Sequence, residues 1–453
     1  MMMNRYKHLL AQWRPLPHPN RLLWSLAIGL TTGSLGVVFA LSYAALIFSG
    51  NLTGQLSTGF GLVLFSVATT RMIVALTSSY PGMVADLSTV PTAILAWSVG
   101  MVVRELPVGT SPGEVLVTVL ATIALTSVLT GSVLLLLGLF QLGEWVRLMP
   151  RSVVGGFVAS TGWLLVKGAI KLMTNQTLDW AHLPMLIQPQ VFLHWLPGLL
   201  LALYLLWLSR YPLHPLAMIT SLVAAIAVFY GLLSLSGISP NQAIVHGWTL
   251  PIANDQGVQT LWQSLSHLHL GLIHWPAIAK QWMCIATAIV TAAISLLMNV
   301  SGLELVTKRP IDLNQELKVA GATNLLLGLS GGILSFQSLS KSVLSHKLGN
   351  RDRFPTLADS GLCIILPLLG SSFLCYFPKP VLGGLLLFLG LSLLLEWVYA
   401  AWFKLSRVDY GIVQLIWMTS STIGFLQGLT LGWLLAGGLL LFNSKRLLRQ
   451  LGK

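Results

Sequence analysis

Charge is what this sequence lacks. Asp, Glu, Lys and Arg make up 9% of its 453 residues, against 55% hydrophobic residues, a balance that excludes a soluble globular protein of this length. Cysteine is scarce as well. Cys284, Cys363 and Cys375 all fall in or beside apolar runs without metal-ligand spacing, and they read as small core hydrophobes. The chain has no phosphate-binding glycine loop, no metal-ligating cluster and no credible catalytic triad, so no enzyme class is indicated and no resident cofactor is expected. A net charge of +13 does not point to nucleic acid, because the 26 Lys and Arg are not gathered onto one basic face. Nor does the N-terminus carry a short apolar region with a cleavage site. Arg5, Lys7, Arg14 and Arg21 precede a long apolar run, the form of a cytoplasmic lead-in to a first span.

What the sequence does have is apolar runs. They lie at about 22–48, 56–76, 91–103, 115–142, 152–173, 191–209 and 214–236, and again at about 281–305, 315–333, 338–348, 357–377, 380–399, 410–427 and 429–443. Most reach the roughly 17–25 residues that a spanning helix needs; the third and the tenth do not. The fold expected is an all-α polytopic membrane protein of about fourteen spans. Its segments are a cytoplasmic stretch 1–21, a first seven-span set 22–236, an external connection 237–280, a second set 281–444 and a short cytoplasmic tail 445–453. With both termini inside, the cytoplasmic segments hold all the basic residues except Arg71, Arg104, Lys167, Lys171, Lys280 and Lys379. That bias supports the inside–inside orientation, and the plasma (inner) membrane is the expected location.

The two short runs share an irregularity. The third follows PGMVADLSTVP, which holds two prolines, a glycine, hydroxyls and Asp86. The tenth follows LSGGILSFQSLSK, with Gly331, Gly332 and several serines. Pro91 lacks an N–H and clashes with a preceding turn, so a helix is expected to start beside it, with Ser88 and Thr89 as capping residues. Broken helices at matching places in two halves point to a seven-plus-seven inverted repeat with its site between two half-helices.

Four stretches resemble the sulfate permease (SulP, solute carrier 26-type) family. Met149-Pro150-Arg151-Ser152-Val153-Val154-Gly155-Gly156-Phe157 is similar to its opening of the fifth span, and Asn314-Gln315-Glu316-Leu317 with Gly321 and Asn324 to its signature entering the ninth. Ser338-Leu339-Ser340-Lys341-Ser342 and Val90-Pro91-Thr92-Ala93 resemble its tenth and third spans. The resemblance implies a core domain moving against a gate domain, with a solute site between the third and tenth half-helices. There are departures. The first span has Leu41-Ser42-Tyr43 where the family usually carries a proline followed by glutamine. The eighth has Asn299 in place of an acidic residue, and the acidic group is instead Asp86 on the third. This is the pattern of a divergent branch, and the family's C-terminal STAS domain is expected to be absent.

Asp86 is the candidate ion-coupling residue, for Na⁺ or H⁺, or the counter-charge of a cationic solute. Its bland alternative is an edge carboxylate in water or paired with Arg71. Ser88, Thr89, Thr92, Gln337, Ser338, Ser340 and Asn299 are candidate solute ligands, against helix capping or an interhelical hydrogen bond. Ser42 and Tyr43 are weaker candidates, and Lys341 either attracts an anion or snorkels to the cytoplasmic side. The expected function is secondary active transport of a small polar solute, an inorganic anion of the sulfate or bicarbonate class, by an elevator-like motion. A cationic or zwitterionic solute such as a basic amino acid, an anion channel and a non-transporting scaffold are the alternatives. The partners expected are the lipid bilayer and that solute; a homodimer is left open.

Overall fold

The structure is a computed structural model that describes residues 19–107, 109–143, 150–176, 178, 183–211, 217–250, 270–348, 350, 352–368 and 376–451. Arg5, Lys7, Arg14, Arg147, Met149, Arg351 and Cys375, and residues 251–269 of the connecting segment, lie outside them.

Long helices dominate. In chain order they are α1 (Pro19–Ile47), α2 (Leu56–Thr77), α3 (Thr89–Glu105), α4 (Pro112–Leu139), α5 (Arg151–Thr174), α6 (Pro189–Ser209) and α7 (Ala217–Leu235). Then follow α8 (Trp282–Thr307), α9 (Leu313–Leu329), α10 (Leu339–Lys347), α11 (Phe354–Leu368), α12 (Lys379–Leu394), α13 (Arg407–Thr422) and α14 (Phe425–Leu451). Among the described residues, 8 helices are long and apolar enough to cross a membrane. The shortest of the main helices are the 9-residue α10, the 15-residue α11, α12 and α13 at 16, and α3 and α9 at 17. The helix α4 starts ahead of its apolar run because a polar cap precedes the apolar residues. Ser111 and Glu114 form a capping box that opens α4 at Pro112.

Both expected breaks are present, and they are extended. After Thr77 the chain leaves the helix, turns at Pro81-Gly82 and forms the strand β1 (Ala85–Asp86) before α3. After Leu329, Gly331 takes φ +79 and the Gly332 N–H donates to Leu327 O at 2.6 Å, a left-handed helix ending; the strand β2 (Phe336–Gln337) then leads into α10. The strands pair antiparallel, Ala85 opposite Gln337 and Asp86 opposite Phe336, and the Ser338 N–H donates to Val84 O at 2.9 Å. Unwound backbone inside a helical bundle is tolerable only when its polar groups find such partners.

Close helix packing rests on small residues. A side chain on Gly321 of α9 would strike the backbone of Leu135 on α4, and one on Gly29 of α1 would strike Pro355 O on α11. The pairings repeat on a shift of seven helices. α4 packs on α9 and α11 on α2; α6 packs on α12 and α13 on α5; α5 and α12 pack on each other. The connecting segment docks at the start of α12, where Lys379 N–H donates to Trp248 O at 2.8 Å and Thr249 bridges to Pro378.

Candidate functional site

The strand crossing brings the starts of α3 and α10 together, each opened by a serine in extended conformation, Ser88 and Ser338. Neither hydroxyl makes a capping hydrogen bond, which corrects the assignment of Ser88 and Thr89 as caps. The physical reason is that the Thr89 Oγ1 is taken by the Tyr43 hydroxyl of α1 at 2.8 Å, and the strand geometry rather than a side chain fixes where α3 begins. Thr92 is buried on the first turns of α3, and its hydroxyl has no hydrogen-bond partner among the described residues. First-turn N–H groups and uncommitted hydroxyls at two helix starts favour a polar, preferably anionic, solute.

Charge at the crossing is buried and balanced. Arg71, Asp359, Asp86 and Lys341 are 0%, 0%, 3% and 6% exposed, two cations against two carboxylates. Lys341 on α10 pairs directly with the Asp86 carboxylate of β1, whose other oxygen accepts from Leu87 N–H at 2.9 Å. Lys341 therefore does not snorkel to an edge. Its Nζ lies over the Phe39 ring, 5.5 Å from the centroid, inside the bundle. Arg71 on α2 pairs with Asp359 on α11 and donates from Nε to Ala85 O at 3.0 Å and from a terminal nitrogen to Cys363 Sγ at 3.1 Å. A second terminal nitrogen comes within 3.6 Å of Asp86. Thr32 on α1 donates to the other Asp359 oxygen at 3.1 Å, and only a glycine at 36 lets α1 pass over the guanidinium.

These four groups divide into two jobs. Arg71 and Asp359 tie α2, β1 and α11 together with most of their hydrogen-bonding capacity spent inside the protein. Lys341 and Asp86 hold one another across the junction of the two half-helices, beside Ser88, Thr89 and Ser338. An ion pair out of water stands only when both partners stay in place, so whatever reaches Lys341 competes with Asp86.

A second polar group fixes the crossing from behind. Glu316, the acid of the Asn314–Leu317 motif, accepts from Ser78 and Ser79 hydroxyls at 2.9 and 2.7 Å, from Ser79 N–H at 2.7 Å and from Gln337 Nε2 at 2.7 Å. Asn299 donates to Gln337 O at 2.8 Å. Asn299 and the Gln337 amide nitrogen are thus committed to holding β2, while Gln337 Oε1 is buried without a hydrogen-bond partner among the described residues. Ser42 donates back to Val38 O at 3.0 Å within α1. Ser340 is exposed on the first turn of α10.

Sequence reasoning missed Asp359; Cys363, read as a core hydrophobe, is buried in the main apolar cluster, and its sulfur also accepts from Arg71. The signal was available: a carboxylate in the apolar run at 357–377 has to be paired. Glu316 stood inside a quoted motif without a role.

The sequence model of the Sulfate permease family matches residues 22–416. A vacuolar basic amino acid transporter, VSB1, of Saccharomyces cerevisiae is 25% identical over 340 residues, 74% of this chain and 33% of that protein. A probable sulfate transporter of Mycobacterium tuberculosis is 25% identical over 280 residues, 60% of this chain and 47% of that one. The chain thus spans a third to about half the length of these curated relatives. Among solved structures, the transmembrane domain of a cyanobacterial bicarbonate transporter, BicA, matches with TM-score 0.66 at 17% identity, covering 92% of this chain and 98% of that one. Murine Slc26a9, an anion transporter in its inward-facing state, matches with TM-score 0.66 at 18% identity, covering 96% and 70%.

Proposed function

The chain belongs to the sulfate permease family, whose fold is that of membrane transporters, and from that premise we propose that it is a secondary active carrier of a small inorganic anion. The observation that carries this is the Lys341–Asp86 pair at the meeting of two helix starts. Two helix N-termini and a lysine make an anion site. Asp86 occupies it in the absence of solute. A proton or Na⁺ on Asp86 removes the competing charge and releases Lys341 to the anion, so cation and anion enter together. Without a bound cation, the anion has to displace a carboxylate that is already buried and paired.

The seven-helix shift in the pairings supports an inverted repeat. Helices α1–α4 with α8–α11 form a core body, and α5–α7 with α12–α14 a gate body, so an elevator-like step would carry the crossing along the gate. The distribution of basic residues supports cytoplasmic termini. The test is uptake into proteoliposomes of purified protein, with sulfate, bicarbonate and arginine in turn, with and without a proton or Na⁺ gradient. Gradient-stimulated sulfate or bicarbonate uptake is expected. Current that reverses at one ion's Nernst potential, without counterflow stimulation, would instead identify a channel.

A second reading takes a basic amino acid as solute, with Asp86 as its counter-ion in place of Lys341. It is favoured by the yeast relative, whose name describes transport of basic amino acids. Arginine uptake without sulfate or bicarbonate uptake would select it.

A further inference from the structure

One face of α1 covers the buried charges. Thr32, Gly36, Phe39 and Tyr43 stand four, three and four residues apart, the spacing that sets them in one stripe along a helix. Thr32 donates to Asp359 at 3.1 Å, Gly36 gives room to the Arg71 guanidinium, Phe39 faces Lys341, and the Tyr43 hydroxyl meets that of Thr89 at 2.8 Å. Two of these contacts are hydrogen bonds and one is a close passage, and each is explained by what it joins. Phe39 is different. A buried ring needs only apolar neighbours, yet this one turns its face to an ammonium 5.5 Å from its centroid.

That contact gains weight when Asp86 is neutral. With Asp86 charged, Lys341 has a carboxylate directly beside it. With a proton or Na⁺ on Asp86 that charge is cancelled, and the other carboxylate of the cluster, Asp359, is taken by Arg71 and Thr32. A buried ammonium without a partner is costly. The face of an aromatic ring attracts a cation through its quadrupole, most strongly out of water. It bears no net charge, so it does not repel an arriving anion as a carboxylate does. A leucine would fill the same space without that attraction.

We propose that Phe39 is a positioning residue: its ring holds the Lys341 ammonium at the half-helix junction while Asp86 is neutralised, and so presents the lysine to the incoming anion. This deepens the anion-carrier reading and rests on it for its role in transport, but its test needs no transport. Phenylalanines with one, two or three ring fluorines, which drain the negative face at nearly constant shape, replace Phe39 in the full chain in nanodiscs. The series is made in the parent, in Asp86→Asn, and in Asp86→Asn with Lys341→Met, where both charges are removed together.

Tm should fall stepwise with fluorine number in the parent and more steeply in Asp86→Asn, by roughly 2–4 °C across the series. It should stay level in the double variant, which keeps the ring but has no ammonium. The rise in Tm of Asp86→Asn on adding sulfate or bicarbonate should shrink as fluorines are added, because the lysine is no longer presented. An equal slope in the double variant would mean packing and overturn the proposal. So would a slope in Asp86→Asn no steeper than in the parent, or an anion-induced rise that ignores the fluorines. Failure of Asp86→Asn to fold while the double variant folds would show that the ring does not hold the ammonium. Should neither fold, the parent series decides: a stepwise fall supports the contact and a level series overturns it. The expected Tm pattern in a protein that takes up neither sulfate nor bicarbonate would leave the ring contact standing and remove the carrier reading. Anion uptake by a protein whose Tm ignores the fluorines would do the reverse.

Discussion

At the half-helix junction Asp86 pairs directly with Lys341 and stands 3.6 Å from Arg71. Asp86→Asn is nearly isosteric, yet it leaves a buried lysine without its carboxylate, a loss of about 3–5 kcal/mol when one partner of a buried pair is removed. An anion that binds Lys341 can make up part of that loss. Under the anion reading, Asp86→Asn should therefore have a lower Tm than the parent chain, and a larger rise in Tm with added sulfate or bicarbonate. Its residual uptake should no longer depend on Na⁺ or pH. If a basic amino acid is the solute, the same substitution should abolish arginine binding, a drop on the order of a hundredfold or more in affinity. Unchanged ion dependence together with unchanged anion stabilisation would leave Asp86 as a structural carboxylate.

At the scale of elements, the broken helices were legible because proline and glycine act locally. Pro91, Gly331 and Gly332 mark where helix cannot continue, and no distant contact is needed to see it. The pairing of the two breaks with one another was legible only as matching positions, since a two-residue strand carries no sequence pattern of its own. The cap assignment failed for a related reason: Ser88 has the right residue type and position, but the β1–β2 pairing sets the helix start. Gly331 is the element's weakest point for substitution. Its φ of +79 is a left-handed conformation that costs an L-residue roughly 1–2 kcal/mol, so Gly331→Ala should lower Tm and displace β2. Uptake should fall by more than that loss of stability explains, because β2 places Lys341 opposite Asp86. Gly361, with open space around it and no left-handed φ, is the control; an equal effect of Gly361→Ala and Gly331→Ala would remove the special role of the turn.

At the scale of the whole molecule, the apolar runs and the scarcity of charge made the membrane class readable, since both are bulk properties of composition. The charge balance was not readable. Arg71 and Asp359 are 288 residues apart, and nothing in periodicity says which buried cation meets which carboxylate. The proposed division into two bodies rests on packing between helices distant in sequence, and it has a mechanical consequence. Leu46 of α1 faces Gly168 of α5 across the proposed core–gate boundary, whereas Met173 of α5 faces Gly383 of α12 within the gate. A cysteine at 46 removes the leucine side chain that lies where a side chain at 168 must go, and a cysteine at 173 does the same to the methionine facing 383. Oxidation to a disulfide should stop uptake in the 46/168 variant and restore it on reduction, because the link ties two bodies that must slide. The 173/383 link joins helices that travel together and should leave most of the uptake intact. A carrier that works with the 46/168 link closed does not move as a core against a gate, and its alternating access then has to come from within the strand crossing itself.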